Sequence, residues 1–93
     1  MAKFLALHTV DPKMFATDPT FAFVKKALAA MTPEVYCIRS FMARGAGKLA
    51  CEWEASSEQA LIDVVAKVPE LPVDGIYPME VVEWAEVKKQ LGM

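Results

Sequence analysis

Four side chains of this sequence have the chemistry to act together in one site. His8 is the only histidine of the chain, and Arg39, Glu52 and Glu54 lie in two segments that we predict to be neighbouring strands. A neutral imidazole beside carboxylates can hold a divalent metal ion, or it can act as a general acid or base. We therefore predict a ligand-binding site formed by His8, Arg39, Glu52 and Glu54. Within it, His8 and Glu54 are the candidate metal ligands, and a divalent metal is the candidate cofactor.

Each of these residues also has a purely structural interpretation. His8 has no second histidine or C-x-x-C motif near it, so it can equally make a structural hydrogen bond or lie in an interface. Arg39 and Glu52 are directly opposed in the predicted hairpin. They can form an ordinary cross-strand ion pair, or Arg39 can anchor a substrate. The sequence leaves these alternatives open.

The two cysteines, Cys37 and Cys51, are too few for a disulfide framework and lack C-x-x-C spacing. We predict that both are free thiols in a reducing compartment. If the hairpin turn centres on Gly45 and Ala46, strict alternation places the two thiols on opposite faces of the sheet.

Periodicity and turn residues predict a single α+β domain over residues 1–93. Turn-prone prolines and glycines separate the elements, and helices show apolar residues at three- and four-residue steps. The predicted elements are a strand over 3–9, a helix from Asp18 and Pro19 to before Pro33, strands over 35–43 and 48–54, a helix from Ser56 to Pro69, a strand over 76–83 and a short C-terminal helix over about 84–91. This order is that of a ferredoxin-like βαββαβ sandwich with a four-stranded antiparallel sheet, the first and third strands being central.

The first strand decides which face of the sheet carries His8. We expect Leu5 and Leu7 to face the helices, which places Phe4, Ala6 and His8 on the other, open face. There His8 would approach Arg39 and the two glutamates. The apolar residues on that face, with an apolar share of 55% for the whole chain, favour burial against a second copy of the protein.

Composition excludes several classes of partner. Ten basic and twelve acidic residues give a net charge of -2, with no run of five like charges, so a nucleic-acid partner is not expected. The predicted central strands also lack the aromatic platform that ferredoxin-like RNA binders use. No segment has the apolar length of a signal peptide or a membrane span, and we expect a cytoplasmic protein without a membrane partner.

The sequence resembles the small nickel-responsive, DUF4242-like proteins. The similar segments are Met1-Ala2-Lys3-Phe4 with His8, Ile38-Arg39-Ser40-Phe41, Cys51-Glu52-Trp53-Glu54-Ala55, Ser57-x-Gln59-Ala60 and Ile76-Tyr77. The resemblance implies a ferredoxin-like subunit, a homodimer that stacks two sheets into an α/β barrel and, for some members, a metal site. By position it implies His8, Cys51 and Glu54 as family site residues.

The chain departs from this family at two places. Ala6 stands where the family has an acidic residue, and the segment Val68-Pro69-Glu70-Leu71-Pro72 replaces histidines that follow the second helix. Both departures remove metal ligands, whereas the implied fold and dimer do not depend on them.

Three functions remain after these considerations. The one we favour is a dimeric α/β-barrel binding protein that holds a metal ion or small ligand between its two sheets, without catalysis. The alternatives are a cofactor-independent enzyme that resembles the dimeric-barrel monooxygenases and isomerases, with His8 as acid or base and Arg39 as anchor, and a structural or partner-binding domain.

Overall fold

The computed structural model describes residues 1–13 and 22–93 of the chain. Its elements are β1 (Ala2–Thr9), α1 (Ala22–Ala30), β2 (Val35–Ala43), β3 (Lys48–Ala55), α2 (Glu58–Val65), β4 (Val73–Pro78) and α3 (Trp84–Gln90). The strands form one antiparallel sheet in the order β2-β3-β1-β4. The predicted ferredoxin-like α+β fold is therefore confirmed, including the central position of β1 and β3.

Helix α1 packs on the sheet through a different stripe from the predicted one. We expected Val24 and Leu28 to face the core, but their exposed fractions are 36% and 60%. Phe23 is buried instead, with Ala27 and Ala30 packed beside it at the same helical spacing. The predicted start of this helix at Asp18 and Pro19 lies outside the described residues.

Helix α2 begins with a side-chain cap. Ser57, and not the predicted Ser56, is the N-cap, and its hydroxyl accepts a hydrogen bond of 3.1 Å from the backbone N–H of Ala60. Leu61 and Val64 of this helix are buried. The predicted apolar stripe of the second helix therefore forms part of the core.

The β2–β3 hairpin differs from the prediction at both of its ends. A short 3₁₀ turn over Arg44–Ala46 connects the strands and ends at Gly47, whose φ of 65° lies in the left-handed region. At the far end, the register of the strands shifts between Cys37 and Arg39, which leaves Ile38 as the extra residue of a β-bulge. Arg39 still pairs with Glu52 as predicted, but Cys37 now pairs with Trp53 and not with Glu54.

The side chains of β1 face the opposite way from our prediction. Phe4, Ala6 and His8 are buried, whereas Leu5 and Leu7 are half-buried. Phe4 pairs with Trp53 and Ala6 with Cys51, residues of the hydrophobic core that the helices cover. The placement of His8 on the open face was therefore wrong, because both faces of this strand are apolar and alternation alone does not say which one the helices cover.

The fourth strand lies earlier in the chain than predicted: we expected a strand over 76–83, but β4 spans Val73–Pro78. Pro78 ends the edge strand β4, where its missing N–H removes no hydrogen bond from the interior of the sheet. Helix α3 follows over Trp84–Gln90, close to the predicted bounds. Among the described helices, none combines the length and the apolar character that crossing a membrane requires.

Candidate functional site

His8 lies on the helix-covered face, near the loop that leads into β4. Its side chain is buried, with 4% of the residue exposed, and its Nδ1 donates a hydrogen bond of 3.1 Å to the backbone carbonyl of Pro72. Burial lowers the pKa of the imidazole, although the Pro72 carbonyl and the charge of Asp74 act in the opposite direction. His8 is thus held as a neutral imidazole.

The open face carries a chain of linked polar groups. The Tyr36 hydroxyl donates to Oε2 of Glu54, and Lys3 Nζ lies 3.1 Å from Oε1 of Glu54 and 3.4 Å from Oε2 of Glu52. Arg39 Nε completes the chain at 3.1 Å from Oε1 of Glu52. The hydrogen bond from Tyr36, followed by the contacts with Lys3, lowers the pKa of Glu54. These side chains, from β1, β2 and β3, therefore provide one another's hydrogen-bond and ion-pair partners.

The structure therefore brings together three of the four predicted site residues. Arg39, Glu52 and Glu54 share the open face, and the predicted Arg39–Glu52 ion pair is present. His8 lies on the other face, so His8 and Glu54 do not converge on one metal ion. In residues 1–13 and 22–93, no group of three or more His, Cys, Asp or Glu side chains is arranged to hold a metal. Cys51, implied by the family resemblance, lies with His8 and apart from Glu54.

A mostly apolar pocket separates the helices from the sheet. It has a volume of about 370 Å³ and lies between α1, α2 and the covered faces of β2 and β3. Apolar side chains of both helices form one wall, among them Ala27, Leu28 and Val65. His8 and Trp53 lie on the sheet side. This volume falls within the range of about 300–1,000 Å³ that is typical of small-molecule sites.

The pocket contains one polar group without a partner. Trp53 is 5% exposed, and its indole Nε1 has no hydrogen-bond partner among the described residues. A buried indole N–H normally finds an acceptor, because leaving it unpaired costs about 1–3 kcal/mol. Less than 1 Å² of this nitrogen is accessible, so a ligand's acceptor atom would reach it only if the side chains around the indole move. The sequence identified Trp53 as a core residue but gave no indication of its unpaired N–H.

Few of the pocket's side chains are charged. Of its described lining residues, only Arg39 carries a full charge at neutral pH, and this residue pairs with Glu52 of the open face. The remaining polar groups are the thiols of Cys37 and Cys51, the hydroxyl of Ser40, the imidazole and the indole. Such a lining can accommodate an uncharged molecule, whereas an ion would lose its hydration without compensation.

The comparisons with known proteins support the fold. No protein-family model matches the chain, and no curated protein sequence matches it. The crystal structure of SCO4226 from Streptomyces coelicolor A3(2) superposes with a TM-score of 0.64 at 17% sequence identity, and the match covers 88% of this chain and 100% of that one. The chain is thus similar in fold to SCO4226 over nearly the full length of both.

Proposed function

We propose that this protein binds an uncharged, mostly apolar small molecule in the pocket between its helices and its sheet. The observation that carries the proposal is the unpaired indole N–H of Trp53, a residue in the wall of a mostly apolar pocket. An apolar body would replace water along the helix wall, and one acceptor atom would satisfy the indole. The ligand class is therefore an apolar molecule with a carbonyl or a similar acceptor.

The proposal moves the ligand from the open face to the covered face. The sequence placed it near Arg39, Glu52 and Glu54, but those side chains already pair with one another and with Lys3. The enzyme alternative required His8 and Arg39 to act on one substrate. Both residues line the pocket, but Arg39 is paired with Glu52 and the Nδ1 of His8 with the Pro72 carbonyl, which favours binding without catalysis.

The open face has a different role in this proposal, which is to pair with a second copy of the chain. Leu5 and Leu7 are half-buried, while Phe41 and Tyr77 are 60% and 52% exposed. A depression of about 570 Å³ adjoins Leu7 and Phe41 at one end of the sheet. Stacking two such faces would remove these apolar groups from water.

The charges of the open face are compatible with self-association. Lys3 and Arg39 balance Glu52 and Glu54, so two copies of this face would meet without net repulsion. The partner to which we commit is therefore a second copy of this chain, as the resemblance to the dimeric family also implies.

The pocket can be tested with Nile red, a neutral apolar dye that carries a carbonyl acceptor. We expect wild-type protein to bind the dye with a saturable rise in fluorescence. Ala27→Phe should abolish binding because Ala27 lines the pocket and a phenyl ring would occupy it. Ala29→Phe is the matched control, since Ala29 is exposed on the same helix and outside the pocket lining.

Two results would contradict the proposal. One is that saturating dye leaves the wild-type fluorescence unchanged. The other is that the two phenylalanine variants, both shown to be folded by circular dichroism, bind the dye equally well. Native mass spectrometry of the purified wild-type protein would in addition show any molecule that it retains.

A further inference from the structure

The β-bulge at Ile38 places the two cysteines of the chain on the same face of the sheet. Cys37 pairs with Trp53, and Ser40 pairs with Cys51, so the two thiols are diagonal neighbours on the covered face. Regular alternation would have placed them on opposite faces, as the sequence predicted. The inserted residue reverses the orientation of Cys37 relative to the rest of β2.

A serine hydroxyl lies between the two sulfur atoms. Ser40 Oγ donates to Cys51 Sγ at 3.1 Å and lies 3.8 Å from Cys37 Sγ. Cys37, Ser40 and Cys51 therefore form one connected cluster, which is part of the pocket wall.

The two cysteines differ in accessibility. Cys37 is half-buried and can be reached from the pocket, whereas Cys51 is buried, with 6% of the residue exposed. An accessible thiol beside a protected one is the arrangement in which the first reacts with an oxidant and the second resolves the product.

The acidities of the two thiols support the same division. Interaction with Cys51, followed by contacts with Ser40 and the Arg39 backbone, lowers the pKa of Cys37 to about 7, although burial and the nearby charge of Glu52 oppose this shift. The same contact and burial raise the pKa of Cys51. Near neutral pH, Cys37 is thus partly ionised and is the more nucleophilic of the two thiols, while Cys51 stays protonated.

We propose that Cys37 and Cys51 form a peroxide-reactive pair, in which Cys37 is oxidised first and Cys51 then closes a disulfide. The Cys37 thiolate attacks a hydroperoxide, the O–O bond breaks, and Cys37 becomes a sulfenic acid while an alcohol or water leaves. The Cys51 sulfur then attacks the Cys37 sulfur, an S–S bond forms and water leaves. Two thiols are oxidised and one hydroperoxide is reduced, and an external dithiol reverses the change.

The first oxidation itself favours the second step. Loss of the negative charge on Cys37 removes one of the causes that raise the pKa of Cys51. Diagonal neighbours in a regular ladder have Cα atoms about 7–8 Å apart, slightly more than the usual disulfide span of about 4.4–6.8 Å. Closure therefore needs a small shift of β2, which the bulge at Ile38 makes easier because the ladder is already interrupted there.

The test begins with the wild-type protein and needs no substitution. We expect iodoacetamide to alkylate Cys37 well before Cys51, with a rate that rises with pH around a midpoint of about 7. Hydrogen peroxide should remove both free thiols and lower the mass of the chain by that of two hydrogen atoms. Dithiothreitol should reverse this change, and non-reducing electrophoresis should show a single-chain species.

Two variants then separate the roles of the cysteines. In Cys51→Ser, peroxide should leave a sulfenic acid on Cys37 that dimedone labels, whereas Cys37→Ser should react slowly and remain unlabelled. The proposal is overturned if peroxide leaves both thiols free in the wild-type protein, if Cys51 is alkylated as fast as Cys37, or if the disulfide joins two chains. The result does not depend on a ligand in the pocket, so it is distinct from the test of the proposed function.

Discussion

His8 and Glu54 lie on opposite faces of the sheet and near opposite ends of the antiparallel pair β1–β3. His8 on β1 pairs with Leu49, while Glu54 on β3 pairs with Lys3. The two side chains therefore cannot ligate one metal ion within a subunit, although both were candidate ligands in the sequence. One of them is held by the Pro72 carbonyl and the other by Lys3 and Tyr36.

We predict that no nickel site depends on both of these residues. Calorimetric titration of wild type, His8→Ala and Glu54→Gln with Ni²⁺ should show weak binding or none. Any weak binding by the wild type should not be lost in both variants. Zn²⁺ and Cu²⁺ should give the same pattern. Stoichiometric binding that disappears in each single variant would contradict this separation of the two faces.

The second prediction concerns the contribution of His8 to stability. His8→Ala should lower the free energy of unfolding by about 1–3 kcal/mol, because the Pro72 carbonyl loses its donor and the buried imidazole leaves a cavity. His8→Gln, which keeps an N–H donor, should lose less. Urea unfolding of the three proteins measures these differences, and an unchanged free energy in His8→Ala would show that the hydrogen bond contributes nothing.

The same residue should make stability depend on pH. Burial lowers the pKa of His8 below its ordinary value of 6.5, so the unfolded chain takes up a proton at a higher pH than the folded one. The free energy of unfolding is therefore highest above the pKa that His8 has in the unfolded chain. It declines as pH falls from that value through the lowered pKa of His8 in the folded protein. Unfolding curves between about pH 8 and about pH 5 should show this decline in wild type and a smaller one in His8→Ala. If stability declined equally with pH in wild type and in His8→Ala, the lowered pKa of His8 would be contradicted.

The proposed pairing of the open faces makes a third prediction. Phe41→Glu should convert a dimer into monomers, because it puts a charge on the exposed apolar side chain that edge strand β2 presents on this face. Leu91→Glu is a suitable control, since Leu91 is 68% exposed and lies beyond helix α3. Sedimentation equilibrium measures the mass of each variant. A monomeric wild type, or a Phe41→Glu variant that stays dimeric, would refute the pairing.

The sequence predicted the architecture of this protein better than its site. Turn residues and apolar periods gave the element order and the central strands, because those signals are local. The predicted face of β1 was wrong because Phe4 and Ala6 are apolar like Leu5 and Leu7, so alternation did not decide which side faces the helices. His8 is buried nonetheless, since the loop before β4 supplies a carbonyl to it.

The pocket and the thiol cluster depend on a feature that no local signal revealed. Ile38 is an ordinary β-branched strand residue, without the glycine that would indicate a bulge. The predicted register was correct from the turn back to Arg39. Ile38, the extra residue of the bulge, then places Cys37 on the other face. Trp53 did offer a usable signal, because a tryptophan assigned to a core always raises the question of what accepts its N–H.

The most direct test of the binding proposal observes the Trp53 indole itself. The chain has two tryptophans, and the indole N–H signals of Trp53 and of Trp84, which is 79% exposed, can be assigned in a nitrogen-15 correlation spectrum by Trp→Phe substitution. Acetophenone, a neutral aromatic ketone, is the probe. We predict a saturable downfield shift of the Trp53 N–H as it donates to the ketone, with Trp84 unmoved and no shift in Ala27→Phe. A Trp53 signal that does not move at saturating ketone, or that moves equally in Ala27→Phe, would contradict the account.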